Sequence, residues 1–132
     1  SMAEDTKQAS ATELKPGKFV IFDGKPCVVK DVQTSKPGKH GHMKCRVEAI
    51  SLIDDSKIIK VMPGHDKVQI PIIEKESAQV LSVQIDKCNV MDMKTYETFD
   101  LDVPAEFKDK IKEGSNIVYW IMMGKKVIRE VK

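Results

Sequence analysis

A lysine held between two glycines lies at the centre of the most unusual stretch of this 132-residue sequence, residues 35–42. Glycine permits a positive φ and proline fixes φ, so Pro37, Gly38 and Gly41 predict a stiff, tight tip. The side chain of Lys39 should then project furthest from the body of the protein. Such a loop presents one long cationic side chain to a partner outside the protein.

Positive charge is concentrated around this loop. The whole sequence has 22 Lys and Arg residues against 20 Asp and Glu residues, a formal net charge of +2. Residues 25–46 hold six of these basic residues and one acid, Asp31, so the window carries +5 and the remainder −3. A solvated surface alone accounts for many basic runs, but this concentration favours a polyanionic partner, with RNA or DNA as the first candidate.

Other chemistries of the loop have weaker support. The phosphate-binding pattern G-x-x-x-x-G-K-[ST] is absent from the sequence, and no helix is predicted after Lys39. His40 and His42 could ligate a metal, but they lie on a loop with no third ligand nearby, and His65 stands alone in a turn. No carboxylate dyad, catalytic triad or metal constellation is visible. We therefore expect neither an enzyme nor a metal site, and we assign no catalytic residue.

Three aromatic residues offer a second way to contact nucleic acid. Tyr96, Tyr119 and Trp120 could form a platform on which bases stack. Aromatic residues make up only 5% of the chain, so packing in a core or on a barrel surface is the alternative that we favour. A stand-alone binder of single-stranded RNA or DNA would depend on Trp120 or Tyr96 and would be indifferent to Lys39.

The three cysteines indicate a reducing compartment. Cys27, Cys45 and Cys88 are odd in number and form no Cys-x-x-Cys pair, which argues against a disulfide framework and a structural zinc site. Each stands among apolar residues, so we expect buried thiols and a cytoplasmic protein. The N-terminus is polar and unlike a secretory signal, and no apolar run approaches the ~20 residues of a membrane span.

Strand signals dominate the sequence and predict an all-β fold of two small β-barrels. In the first half, short apolar runs are separated by turn residues, such as Asp23 and Gly24 after the first run. Short strands at this spacing are typical of a strongly bent antiparallel barrel. The predicted strands cover residues 19–22, 26–32, 44–53, 57–62 and 67–70.

The second half has the element order of an OB-fold. The polar stretch 71–77 is the predicted junction, because Pro71 lacks the N–H that a central strand would need. Beyond it, Phe107 and Ile111 at helical spacing, with a proline before them and a glycine after, predict one short helix over 104–113. That helix falls between the third and fourth of five strands, as in OB-folds. The predicted strands cover residues 78–85, 89–93, 96–101, 116–122 and 126–131.

Residues 35–42, which read Ser-Lys-Pro-Gly-Lys-His-Gly-His, resemble the hypusine loop of translation initiation factor 5A in its archaeal form. The family is homologous to bacterial elongation factor P. Met43 departs from the pattern, because the family usually has a small residue there. The resemblance runs from about residue 13 to residue 132 and includes residues 14–17, 68–71 and 91–98.

The resemblance implies a domain organisation. Residues 13–71 would form an SH3-like barrel that carries the loop, and residues 72–132 would form the OB-fold. Residues 1–12 would be a disordered or flexible tail. We expect a monomer with no membrane association.

The resemblance also implies a function. In this family the lysine at the position of Lys39 receives an aminobutyl group from spermidine through deoxyhypusine synthase, which gives deoxyhypusine or hypusine. The protein would need no other cofactor. It would bind the ribosome beside peptidyl-tRNA and rRNA, promote peptide-bond formation and relieve stalling at proline-rich sequences.

The remaining loop residues receive supporting roles from the resemblance. Gly38 and Gly41 would shape the tip and Pro37 would stiffen it. The other positions would contact tRNA phosphates or be recognised by the modifying enzyme. These positions are Ser35, Lys36, His40, His42 and Lys44.

Overall fold

The computed structural model describes residues 6–132, nearly all of them in strands and the turns between them. The predicted all-β class is confirmed. The chain divides into two compact units, one ending at Ile72 and the other beginning at Ile73. Each unit contains one antiparallel sheet, of six strands in the first and five in the second. Among the described residues, no helix is long and apolar enough to cross a bilayer.

The first unit is a six-stranded antiparallel sheet with the strand order β1-β6-β2-β3-β4-β5. A 3₁₀-helix, Ala11–Glu13, follows β1. Asp23 and Gly24 both have positive φ, 52° and 75°, which is the geometry of a two-residue hairpin turn, so the turn predicted there is confirmed. The strands are β1 Thr6–Ser10, β2 Phe19–Phe22, β3 Lys25–Ser35, β4 Lys44–Ser51, β5 Lys57–Pro63 and β6 Lys67–Pro71.

The predicted flexible tail over residues 1–12 is wrong from residue 6 onward. Strand β1 pairs with β6 from Thr6 opposite Pro71 to Ser10 opposite Lys67, and Ala11 is fully buried. This strand could not be predicted from the sequence, because its stability comes from backbone hydrogen bonds to a neighbouring strand that is distant in the chain. Its side chains are mostly polar and show no apolar alternation. Residues 1–5 of the predicted tail lie outside the described residues.

The second unit has the OB-fold element order that the sequence predicted, with the strand order β11-β10-β7-β8-β9. The fourth strand, β10, has the predicted bounds, and the others differ by a few residues. One short helix precedes it, a 3₁₀-helix at Ala105–Phe107. The strands are β7 Ile73–Val83, β8 Lys87–Asp92, β9 Thr98–Asp102, β10 Asn116–Met122 and β11 Lys125–Val131.

Two details of this unit differ from the prediction. The helix expected over 104–113 is a single 3₁₀ turn, in which the Phe107 N–H donates to the Pro104 carbonyl at 2.9 Å and the Lys108 N–H to the Ala105 carbonyl at 3.3 Å. Phe107 and Ile111 both pack in the core without an α-helix. The division between the two units, after Ile72, falls within the predicted junction 71–77, but the rest of that stretch is the start of β7, which pairs with β10 from Ile73 opposite Met122. Polar residues are tolerated there because the outward side chains of a strand face water.

Each unit has its own hydrophobic core. The three cysteines are buried free thiols, as predicted. Cys27 and Cys45 belong to the first core and Cys88 to the second. Burial raises the pKa of the Cys27 and Cys88 thiols, because a thiolate would lose its hydration. These groups are therefore packing residues.

Candidate functional site: an exposed lysine loop

A long hairpin holds the loop away from the core of the first unit. Strands β3 and β4 stay paired as far as Ser35 opposite Lys44. The outer part of β3, from Gln33 to Ser35, is exposed, whereas the inner part of the strand is largely buried. Residues 36–43 therefore connect the exposed end of β3 to the exposed Lys44, which directly precedes the buried Cys45 of β4.

Two glycines make the turn at the tip possible. Gly38 has φ 70°, in the left-handed region that side chains other than glycine rarely adopt. The Gly41 N–H donates to the Gly38 carbonyl at 3.4 Å. A Cβ at Gly41 would lie 1.7 Å from the carbonyl oxygen of Pro37, so no residue with a side chain fits this conformation. The predicted tight tip is thus present, with Lys39 between the two glycines.

The Lys39 side chain is exposed at this tip. Within residues 6–132 it makes no hydrogen bond and no ion pair. Lys36 and His40 beside it are exposed as well, and so are His42 and Lys44 further along the loop. The amine is therefore not folded against its own barrel.

Three other lysines of the first unit are paired with carboxylates. Lys25 lies 2.6 Å from Asp54, Lys60 lies 2.6 Å from Asp23, and Lys57 pairs with Glu48. The hydrogen bond to Asp54 raises the pKa of Lys25. The exposed cations of the loop have no carboxylate partner among the described residues. Their field is uncompensated, which suits an anionic partner.

The N-terminal segment braces the base of the loop. The Gly64 N–H donates to the Met43 carbonyl at 2.8 Å, and the Thr12 N–H donates to the Gly64 carbonyl at 3.1 Å. A Cβ at Gly64 would lie 2.7 Å from the Thr12 side chain and 3.5 Å from Met43 Cβ. Gly64 is thus enclosed on both sides by the segments that it joins. Sequence reasoning missed this brace because its parts are distant in the chain.

His65 also belongs to the base of the loop. Its ring packs edge-on against the ring of His42, with 6.0 Å between centroids. The sequence suggested a lone turn residue, and only the bend between β5 and β6 brings it to His42. An open cavity of about 320 Å³ lies here, and no group of three potential metal ligands occurs within residues 6–132. The cavity is lined by Ser10, Thr12, His42, Met43, Gly64 and His65.

The three residues suggested as a stacking platform, Tyr96, Tyr119 and Trp120, do not form a continuous one. Tyr119 is buried, lies 5.3 Å from the Phe99 ring and donates its hydroxyl to Asp92. Trp120 lies on the other face of β10, where Lys75 is 4.6 Å from its ring centroid. Tyr96 is 70% exposed in the turn between β8 and β9. Core packing, the favoured alternative, is therefore correct for Tyr119.

A two-barrel β protein with an OB-fold second unit and a cationic loop on the first has the architecture of a translation factor. Residues 4–70 match the family described as "Translation initiation factor 5A-like, N-terminal". Residues 72–132 match the family described as "Eukaryotic elongation factor 5A hypusine, DNA-binding OB fold". The chain belongs to the translation initiation factor 5A family.

Individual relatives are similar in sequence to this protein along nearly its whole length. Translation initiation factor 5A of Methanococcoides burtonii is 46% identical over 119 residues, which are 90% of this chain and 94% of that protein. The Pyrococcus furiosus protein of the same name is 42% identical over 132 residues, covering 97% of this chain and 96% of the relative. A solved structure of eukaryotic translation initiation factor 5A from Methanococcus jannaschii has a TM-score of 0.89 at 38% identity, covering 97% and 96% of the two chains. The predicted archaeal-type resemblance and fold are confirmed.

Proposed function

We propose that this chain acts on the ribosome beside peptidyl-tRNA and rRNA, through Lys39 extended by an aminobutyl group. The extended side chain would promote peptide-bond formation and relieve stalling at proline-rich sequences. The observation that carries the proposal is the free, exposed amine of Lys39 at a tip that only glycine can form. As a translation factor, the chain would work in the cytoplasm, as a monomer and without a bound cofactor.

The modification uses the nucleophilic amine of Lys39. A new C–N bond forms between this amine and the four-carbon unit of spermidine, while the C–N bond that held that unit breaks and a diamine leaves. Deoxyhypusine synthase, which uses NAD, would catalyse the transfer. An amine without a carboxylate partner is free to enter the active site of another enzyme, and Lys39 is the one lysine between the two glycines of the tip.

The extended side chain suits a narrow cavity lined with RNA. It carries a second basic amine at the end of a thin aliphatic stem, so charge reaches phosphates without a bulky side chain between them. The stiff tip reduces the entropy lost when the side chain is held in one position. The protein would supply positioning and electrostatics while the ribosome supplies the chemistry.

The neighbouring loop residues would support this role. Lys36, His40, His42 and Lys44 are exposed along the loop and could reach phosphates of tRNA, or be recognised by the modifying enzyme. Ser35 ends the paired part of the hairpin. Electrostatic contacts of this kind position a protein on RNA without reading its sequence.

Replacement of Lys39 by arginine tests the proposal. Arginine keeps the charge but cannot accept the aminobutyl group as the lysine amine does. We expect Lys39→Arg to reduce translation of a proline-rich template to the level measured without the factor. Lys30→Arg is the matched control, because Lys30 is also an exposed lysine but lies on β3, outside the loop. Wild-type translation of the proline-rich template in the presence of Lys39→Arg would refute the proposal.

A stand-alone OB-fold binder of single-stranded RNA or DNA is the weaker alternative. The family description of residues 72–132 includes DNA binding, and Tyr96 is exposed. However, Lys94 beside Tyr96 is paired with Glu76, and Glu97 is the next residue in the chain. Carboxylates at that position oppose a phosphate backbone. The alternative predicts normal binding by Lys39→Arg and loss of binding by Tyr96→Ala.

A further inference from the structure

We propose that the outer face of the β3–β4 hairpin binds successive phosphates of an RNA strand. Four side chains form this face just below the loop, namely Gln33, Ser35, Lys44 and Arg46. The inference rests on the proposed function in one respect, since that function brings RNA to the tip of the same hairpin. It adds Gln33 and Arg46, which lie outside the loop, to the residues that would hold the RNA.

Strand geometry places the two cations side by side on one face. Lys44 and Arg46 are exposed, and they alternate with Cys45 and Val47, which are buried. Residues two apart in a strand point to the same face, and their Cα atoms are about 6.7 Å apart. The spacing between successive phosphates of an RNA strand is comparable, so each cation can contact a phosphate of its own.

The neighbouring strand adds neutral hydrogen-bond donors to the same face. Ser35 lies opposite Lys44, and Gln33 lies opposite Arg46. Side chains directly opposite each other in an antiparallel pair have Cβ atoms about 5 Å apart. Hydroxyl and amide groups commonly donate to the phosphate and sugar oxygens of nucleic acids. A phosphate on this face could therefore accept from a cation and from the donor beside it.

No carboxylate neutralises the two cations. Within residues 6–132, neither Lys44 nor Arg46 forms an ion pair with an acidic side chain. On the other side of β4, Pro63 lies opposite Lys44 and Val61 opposite Arg46, and neither of these residues is charged. Residues 32–47 contain four basic residues and no Asp or Glu. The outer part of the hairpin is thus purely cationic.

The acids of this face lie further from the tip. Glu48 follows Arg46 on the outer face and is already paired with Lys57, whose hydrogen bond is the main cause of its lowered pKa, with a smaller effect from Arg46. Asp31 lies opposite Glu48. Even with both acids included, residues 30–48 hold five basic and two acidic side chains, so 5 − 2 gives a net charge of +3. This excess identifies a polyanion as the partner.

The arrangement of the cations favours RNA over an acidic protein. Arg46 and Lys44 lead along the hairpin toward Lys39 at the tip. A nucleic acid backbone carries charge at regular intervals along its length, as the cations of a strand do. An RNA strand could therefore run along the hairpin while the Lys39 amine contacts the same molecule further on. Phosphate contacts of this kind fix the orientation of a protein without reading base sequence.

The salt dependence of ribosome binding counts these contacts. Each phosphate contact that is lost lowers the slope of log affinity against log salt concentration by about 0.7 to 0.9. We expect Arg46→Gln to lower the slope by about 0.8, and the double variant with Lys44→Gln to lower it by about 1.6. Arg129→Gln is the matched control, because it removes the other arginine of the chain, on β11 of the second unit, and should leave the slope unchanged.

The variants also separate binding from folding. Both side chains are exposed, so thermal unfolding of the double variant should match that of the wild type. Arg46→Lys keeps the charge and should keep the slope. An unchanged slope in the folded double variant, or an equal reduction by Arg129→Gln, would overturn the inference. The measurement uses protein with unmodified Lys39, so its result does not depend on the aminobutyl transfer.

Crosslinking from position 33 identifies the partner. A photoreactive diazirine residue in place of Gln33, on the full-length chain bound to ribosomes that carry peptidyl-tRNA, should form an adduct with RNA. Sequencing of the adduct distinguishes tRNA from rRNA, either of which supplies the phosphates. The same group in place of Gln69, an exposed glutamine of β6, is the control and should give no RNA adduct. Adducts with protein alone would contradict the inference, whereas full stall relief by Lys39→Arg would contradict only the proposed function.

Discussion

Replacement of Gly41 by alanine should disable the lysine loop while leaving the fold intact. The alanine Cβ would lie 1.7 Å from the carbonyl oxygen of Pro37, within the same loop. The obstructing atom belongs to the backbone, so it cannot rotate away as a flexible side chain would. The loop must open, and the segment between Pro37 and Gly41 contains Lys39.

The size of the opening follows from the geometry. Real Cβ atoms essentially never approach other heavy atoms closer than 3.0 Å, so the 1.7 Å contact must widen by at least 1.3 Å. A misplacement of about 1 Å in a positioned group can cost on the order of 100-fold in rate. Because the loop is exposed and outside both cores, thermal unfolding of the variant should change little.

The assay is translation of a proline-rich template by reconstituted ribosomes, with protein whose Lys39 modification has been verified by mass. We expect Gly41→Ala to reduce the rate of stall relief by roughly 10- to 100-fold. Gly114→Ala is the control for a strained glycine substitution outside the loop, since its φ of 90° disfavours a side chain but nothing lies within 4 Å of the added Cβ, and it should keep the wild-type rate of stall relief. Wild-type activity of modified Gly41→Ala would show that the compact tip has no role in positioning Lys39.

Two further predictions concern the cores. The hydrogen bond from Tyr119, with those from the backbone, holds the pKa of Asp92 at about 2, below the ordinary 3.8. A lowered folded-state pKa stabilises the fold above about pH 4, so Asp92 contributes about 2 kcal/mol at neutral pH, which is lost as the pH falls toward 2. In urea unfolding at pH 7, the free energy of unfolding of Asp92→Asn should be lower than that of the wild type by this amount. The same difference between the two proteins at pH 2 would contradict the prediction. Cys27 is fully buried, so a thiol reagent should modify it only in denaturant, and rapid reaction of the native protein would contradict this burial.

Local sequence signals predicted the strands whose side chains alternate between the core and the other face of the sheet. Strand β2 has its predicted bounds because an apolar run is closed by Asp23 and Gly24. Strand β10 does too, since its buried residues alternate with less buried ones. The glycines of the loop likewise revealed a tight tip, because their conformational role is local.

Contacts between distant segments could not be read from the sequence in this way. Strand β1 is held by backbone pairing to β6, and that pairing requires no particular pattern of side chains. Gly64 is enclosed by Thr12 and Met43, which are distant from it in the sequence. His65 joins His42 only after β5 and β6 have folded back. The helix expected over 104–113 had the right apolar spacing, but Phe107 reaches the core from a single 3₁₀ turn and Ile111 from the non-helical residues after it.

Peptide mass mapping of the protein purified from its native organism tests the central claim most directly. Protein expressed in a bacterial host that lacks deoxyhypusine synthase is the reference, and its Lys39 should be unmodified. The native protein should carry one aminobutyl group, with or without a hydroxyl, on Lys39 and on no other lysine of the loop. An unmodified Lys39 in protein from actively growing cells, or an addition on Lys36 instead, would contradict the proposed function.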